Sequence, residues 1–196
     1  MFFTLLIATC FAETIMIVEK MGLNQLPVEY KVVDTSICYV DDPKDNEYIK
    51  YSMISVSGNY LKSEYSDSSC TIKKKDDLVF DTVIPFNGTL PPYIAFTTKD
   101  YKSCPNTFNE NAPIIKKYIT SNCYLDDDDF DNSKRHGIKD GQIVTVKFKD
   151  SQCTKSPYID DWDEKCGKCD DGEYTWCKNG AFSIASIIAL MLFFLF

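Results

Sequence analysis

The chain contains one histidine, His136, among its 196 residues, and that scarcity closes several routes to catalysis. A Ser-His-Asp or Cys-His arrangement has to use His136, and no Gly-x-Ser-x-Gly nucleophile turn accompanies it. Its neighbours, Ser133-Lys-Arg-His-Gly137, read as an exposed loop. Long basic runs are absent as well: 21 Lys and Arg face 29 Asp and Glu, for a formal net charge of -8. Nucleic acid demands clustered positive charge, so no nucleic-acid partner is expected. No window shows the 3.6-residue apolar period sustained over three turns that would mark a helix. Charge is also missing from both ends. Residues 1–12 hold 10 apolar residues of 12, residues 181–196 hold 14 of 16, and neither stretch contains Asp, Glu, Lys or Arg. The body between them is too apolar and aromatic for a disordered acidic chain.

The two ends read as addresses. Residues 1–12 end in Cys10-Phe-Ala12, with small residues where a signal peptidase cuts, and are too short for the ~20 residues of a membrane-spanning helix. They depart from the pattern in lacking an initial Lys or Arg. The C-terminal run from Ile184 is also short of a bilayer, at about 1.5 Å per residue against a core of ~30 Å. A terminal apolar tail behind small residues is the pattern of a GPI-attachment signal. Asn179-Gly-Ala181 is the best attachment triplet, with Asn179 carrying the lipid, although its polar spacer is shorter than the usual ~8–12 residues. A short tail anchor, or a buried strand or interfacial helix, is the alternative. Removing Cys10 leaves Cys38, Cys70, Cys104, Cys123, Cys153, Cys166, Cys169 and Cys177, an even set suited to disulfides in an oxidising compartment. An attachment point upstream of Cys177 would leave an odd number.

The body is a duplication. Thr35-Ser-Ile-Cys-Tyr-Val-Asp-Asp42 matches Thr120-Ser-Asn-Cys-Tyr-Leu-Asp-Asp127, and Asp67-Ser-Ser-Cys-Thr71 matches Asp150-Ser-Gln-Cys-Thr154 in the same order at nearly the same offset. Gly58 and Tyr65 likewise fall opposite Gly141 and Phe148, and Cys104 corresponds to Cys177 if about ten residues are missing between. The period is too long for a solenoid, so two modules are expected. The organisation read from this is a signal (1–12), a first module (13–106), a second module (107–179) and an attachment signal (180–196). Short β-branched and aromatic runs at 14–18, 29–33, 49–56, 78–80, 93–96 and 143–148, separated by turn residues, predict an all-β, sandwich-like fold of disulfide-stapled modules. If each module keeps one equivalent internal bridge, one cysteine per module remains. Those two either join each other, leaving Cys166 to Cys169, or each takes one of that extra pair.

The repeated [Tyr/Phe]-x-Asp-Ser-x-Cys-Thr turn, Tyr65 to Thr71 and Phe148 to Thr154, resembles that of short cysteine-rich secreted and surface proteins of amoeboid protists. The resemblance covers about 20 residues per half and implies an extracellular β module without a defined activity.

Three further patterns invite chemistry. Cys166-Gly-Lys-Cys169 has redox spacing, but the acidic residues that follow would raise the thiol pKa, so structural bridging is expected. Zinc held by Cys153, Cys166, Cys169 and Cys177 is the weaker alternative. Asp126-Asp-Asp-Asp-Phe-Asp131 lacks the glycine and distal glutamate of a calcium loop and reads as a solvated acidic loop. Asn87-Gly-Thr89 is an N-glycosylation sequon beside Pro91-Pro92. No catalytic residue, metal or cofactor is implied. The function expected is non-enzymatic: a GPI-anchored surface protein that binds an extracellular protein or glycan through module loops, with Tyr39, Tyr124 and Phe130 as the contact face. The alternatives are a passive coat and an extracellular enzyme at the module interface. The enzyme would need a pocket lined by two carboxylates with displaced pKa values.

Overall fold

The computed structural model describes residues 13–42, 45–54, 57–99, 113–170 and 173–178. The expected signal, the attachment signal, Asn179 and Cys104 lie outside the described residues. What is described is all-β, with one short 3-10 turn, Leu23–Gln25, and no α-helix. In chain order the strands are β1 (Thr14–Met21), β2 (Pro27–Asp34), β3 (Tyr39–Asp42), β4 (Glu47–Met53), β5 (Tyr60–Tyr65), β6 (Lys73–Leu78), β7 (Thr82–Pro85) and β8 (Ala95–Lys99). They continue as β9 (Lys116–Ile119), β10 (Tyr124–Leu125), β11 (Ser133–Lys139), β12 (Gln142–Phe148), β13 (Tyr158–Lys165), β14 (Cys169–Asp170) and β15 (Glu173–Cys177).

Strands β3-β4-β5-β6 and β10-β11-β12-β13 form two four-stranded antiparallel meanders. The other seven make one sheet in the order β14-β15-β8-β9-β2-β1-β7. Pairing registers reveal how the halves are related. Ile17 on β1 lies between Lys31 and Val83, and Thr97 on β8 lies between Lys117 and Thr175. Ile15 lies between Val33 and Pro85 as Ala95 lies between Ile119 and Cys177. Each meander is therefore attached to an equivalent three-stranded unit, β7-β1-β2 or β15-β8-β9. The units join where β2 pairs with β9, and there Lys31 faces its own equivalent, Lys117. That pair marks a pseudo-twofold axis through the middle of the shared sheet. The sequence division after residue 106 runs between β8 and β9, which are hydrogen-bonded neighbours. Cys177 corresponds by register to Pro85 rather than to Cys104.

The repeated Asp-Ser-x-Cys-Thr segment closes the turn after the third meander strand in each half. The Asp67 carboxylate accepts from the amides of Ser69, Thr71 and Ile72 and from the Thr71 hydroxyl, at 2.6 to 3.2 Å. Asp150 does the same for Thr154. The turn puts Cys70 and Cys153 at φ of 51° and 55°, the left-handed region, and aims each at the start of its meander. The bridges Cys38–Cys70 and Cys123–Cys153 are the result, with Cα separations of 5.8 and 6.0 Å. Cys166 pairs with Cys177, and Cys169 is also disulfide-bonded. The extra cysteines thus do not bridge to each other, because Cys166 lies at the end of β13 against β15 while Cys169 opens β14.

Alternation along the strands gives the shared sheet two unlike faces. On the front, Ile15, Ile17 and Val33 pack with Tyr39, Ile49, Tyr51 and Tyr60 of the first meander. Ala95 and Ile119 pack with Ile143 of the second. On the back, Val18, Tyr30, Phe96 and Tyr118 form a separate apolar cluster closed by Leu90 and Tyr93.

Candidate functional site

Between its two apolar outer parts, the front face of the shared sheet carries charge. Glu19, Glu29, Lys31 and Lys117 occupy the strip around the pseudo-twofold axis. Apolar meander strands cannot cover charged groups without a large desolvation cost, so the meanders sit to either side and leave a polar cleft. A hollow of about 630 Å³ is lined by the first meander's Asp41, Tyr51 and Lys62 together with sheet and second-meander residues. A hollow of about 150 Å³ lies toward the second meander, beside His136, and another of about 360 Å³ lies beside Gln142 and Lys168. Glu164 and Glu173 line all three.

Ion pairs organise the floor. Lys31 pairs with Glu19, Lys117 with Glu29 at 2.5 Å and with Glu19 at 3.8 Å, and Lys62 with Asp41 at 3.2 Å. His136 reaches across from the second meander, its Nε2 3.4 Å from Glu29 Oε1. Its Nδ1 lies 3.2 Å from Thr145 Oγ1, and that hydroxyl donates to Asp163 Oδ2 at 3.0 Å. A carboxylate, an imidazole, a hydroxyl and a second carboxylate therefore run in line from β2 through β11 and β12 to β13. The His136 imidazole beside Glu29, together with Lys117 and against the opposing effect of burial, holds the Glu29 carboxyl down at about 2. Glu164 moves the other way: burial and the neighbouring charge of Glu173 raise it, despite the hydrogen bond it accepts from Thr175 at 3.1 Å.

Ile17 and Val83 in the first core correspond by register to Thr97 and Thr175, both buried, in the second. Aligning the Tyr65 and Phe148 ends of the meanders sets Tyr51, paired with Lys62, against His136, paired with Thr145. The second module thus buries two threonines and a histidine where the first has Ile17, Val83 and Tyr51.

The sequence expectations fare unevenly here. His136 is not in an exposed loop: it sits on β11 and is 9% exposed. Its basic neighbours are absorbed by the fold, Arg135 over the Phe148 ring and Lys134 between Asp126 and Asp160. Tyr39 and Tyr124 are 5% and 3% exposed, so they pack into the modules rather than form a contact face. Tyr39 accepts from the Asp34 amide, and Tyr124 lies against His136 and beneath Lys20. Phe130 is 72% exposed and stands apart from them. Asp126, first of the acidic run, is 1% exposed and clamped by Lys134 and Lys147, which hold its carboxyl down at about 2. Among the described residues no group of three or more His, Cys, Asp or Glu could hold a metal ion. Asn87 is exposed. Sequence reasoning passed over Glu29, Glu164, Glu173 and Thr97. Only alignment of the two cores marks their surroundings, and insertions between the matched motifs hide that alignment. Comparison with protein-family models, curated proteins and solved structures finds no match for this chain.

Proposed function

We propose that the protein is a non-enzymatic extracellular surface protein that binds a short glycan in the cleft between its two meanders. The observation that carries the reading is the polar conversion of the second core, where Thr97, Thr175 and His136 stand in place of Ile17, Val83 and Tyr51. Burying polar groups without need costs stability, and a concave site with converging donors and acceptors is where a ligand repays it. Closely spaced carboxylates and lysines suit the hydroxyls of a sugar, and Tyr51 offers an apolar ring. Disulfides support an oxidising compartment. The signal, lipidation at Asn179 and glycosylation at Asn87 complete the proposal. The test is a glycan array with the full chain from secretory expression. Saturable binding that competing sugar abolishes is the expected result, and no binding at millimolar sugar overturns the reading in favour of a passive coat. Phosphatidylinositol-specific phospholipase is expected to release the protein from cells, and retention overturns the anchor.

The opposite displacements of Glu29 and Glu164 favour one second reading, glycoside hydrolysis with Glu164 as acid. Against it, Glu29 is held by His136 on one oxygen and Lys117 on the other, which leaves it poorly placed as nucleophile or base. Release of reducing ends that disappears in Glu164→Gln would establish hydrolysis.

A further inference from the structure

The membrane anchor proposed above is the foundation for a statement about how the fold meets the bilayer. We propose that the end of the shared sheet carrying the β1–β2 turn rests on the membrane beside the anchor, with Met21, Leu23 and Leu26 seated among zwitterionic lipid headgroups.

Strand register places the two features together. Lys20 on β1 pairs with Glu29, Glu29 with Ile119, Ile119 with Ala95, and Ala95 with Cys177 on β15. Every neighbour in that row is antiparallel, so β1 and β15 run in the same direction. The chain therefore leaves β1 at Met21 and β15 at Lys178 from one end of the sheet, about 19 Å apart at ~4.8 Å per strand. A twist of roughly 20–25° per strand leans each exit about 40–50° from their mean direction, which keeps both pointing out of that end. After Lys178 only Asn179 and Gly180 precede residues 181–196, of which 14 of 16 are apolar. Two residues reach about 7 Å. A lipid on Asn179, or the tail itself, thus holds this end to the membrane with no polypeptide spacer.

The surface at this end is independently suited to such a neighbour. Segments 21–28, 91–94 and 120–123 reach past the row, and in a chain that is 26% charged none of them contains a charged residue. Met21 and Leu26 are 40% and 49% exposed, and Leu23 is half-buried. The turn that presents them is clamped. The Gly22 amide donates to the Leu26 carbonyl and the Leu23 amide to that of Cys123, both at 2.7 Å. The side chains of Thr120 and Asn122 both donate to the Pro27 carbonyl. Asn24 and Gln25 take φ of 60° and 59°, a left-handed pair that residues other than glycine adopt at a cost. A rigid turn that keeps apolar side chains in water is stabilised when they leave it, and the chain exit supplies a lipid surface for them to enter. Flanking charge selects the headgroup. Lys20 is engaged by Asp127 at 3.4 Å and lies over the Tyr124 ring, while Asp128, Asp129 and Asp131 follow in the same acidic turn. Those acids repel anionic lipid, so zwitterionic headgroups fit. The sequon lies at the far end of the sheet: Pro85, two residues before Asn87, pairs with Ile15 at the start of β1. A glycan there stands clear of the bilayer.

Tryptophan depth tests the contact. The full chain from secretory expression is reconstituted at low salt in phosphatidylcholine vesicles with and without brominated acyl chains, which quench nearby tryptophan. Leu26→Trp reports from the turn and Ile84→Trp from β7, toward the opposite end; each is read as the difference from the parent, whose Trp162 and Trp176 set the background. Quenching at position 26 is expected to exceed that at position 84 at least threefold, and to fall when phosphatidylserine replaces a third of the lipid. Both variants should melt with the parent; if Leu26→Trp melts lower, Met21→Trp takes its place. Chain that floats with the vesicles but shows equal quenching at both positions, or none at position 26, overturns the contact and leaves the anchor standing. Quenching that holds or rises with phosphatidylserine overturns the zwitterionic assignment. Failure of the chain to float with the vesicles overturns the anchor reading, and this inference falls with it.

Discussion

Glu29 projects from β2 toward a histidine of the other module and is held there by His136 on one oxygen and Lys117 on the other. Its carboxyl titrates at about 2 against an ordinary 4.5, so the folded state favours its ionised form. The stability this contributes is complete above about pH 4.5 and is lost as pH falls toward 2. Glu29→Gln is expected to lower stability at pH 6 by up to roughly 3 kcal/mol, with the difference closing near pH 2, as read from urea unfolding across that range. Glu164 has the opposite sign. Its raised pKa makes the folded state favour the protonated form, so its contribution is lost as pH rises above the ordinary carboxyl range, and Glu164→Gln is expected to raise the melting temperature at pH 7. Gly22 is a case of close approach: a Cβ there would lie 2.6 Å from the Cys123 carbonyl oxygen and 2.9 Å from Val28 Cγ2. Gly22→Ala should cost about 1–3 kcal/mol by the same measurement, because the β1–β2 turn is pinned to the second module through that carbonyl. None of this is visible locally. Glu29 and Glu164 are two of 29 acids in the chain, and the basic neighbours of His136 disguise a buried strand position as a loop.

Elements were legible where burial patterns them. β1, β2, β4 and β12 bury alternate or consecutive apolar residues and show it in composition. β6, β11 and β13 are among the strands that no such run marked. β6 is the outer strand of its meander, exposed along its length, with Lys73, Lys75, Asp76 and Asp77 in ion pairs that leave no apolar signature. The repeated turn motif was legible as a repeat, but its mechanism, a carboxylate gathering amides so that a cysteine can adopt positive φ, appears only in three dimensions. Replacing Cys38 and Cys70 together with alanine is expected to cost about 2–4 kcal/mol, measured by urea unfolding against the parent. Asp67→Ala should speed hydrogen exchange at Thr71 and Ile72 while leaving the equivalent turn at Thr154 unchanged.

At the scale of the whole molecule the halves are not independent beads. They share one sheet through β2 and β9, and Tyr30 of one stacks on Tyr118 of the other with centroids 5.0 Å apart and planes 14° from parallel. A single cooperative unfolding transition is therefore expected in calorimetry, with enthalpy matching the van't Hoff value. Tyr118→Ala should lower that transition without splitting it, and two resolved transitions would show that the modules fold separately. Seven strands in one sheet also explain why a boundary drawn between β8 and β9 from cysteine and turn spacing does not coincide with a break in hydrogen bonding.

By itself the sequence determined the β class and the duplication, with its matched cysteines, because alternation, turn residues and matched motifs are local records of local geometry. Tertiary structure alone decided that the modules join edge to edge about Lys31 and Lys117. It also decided that Cys166 reaches Cys177 and that His136 meets Glu29 across the join. Those depend on which strands lie side by side, and two residues 107 apart in the chain leave no mark on each other's neighbours in sequence.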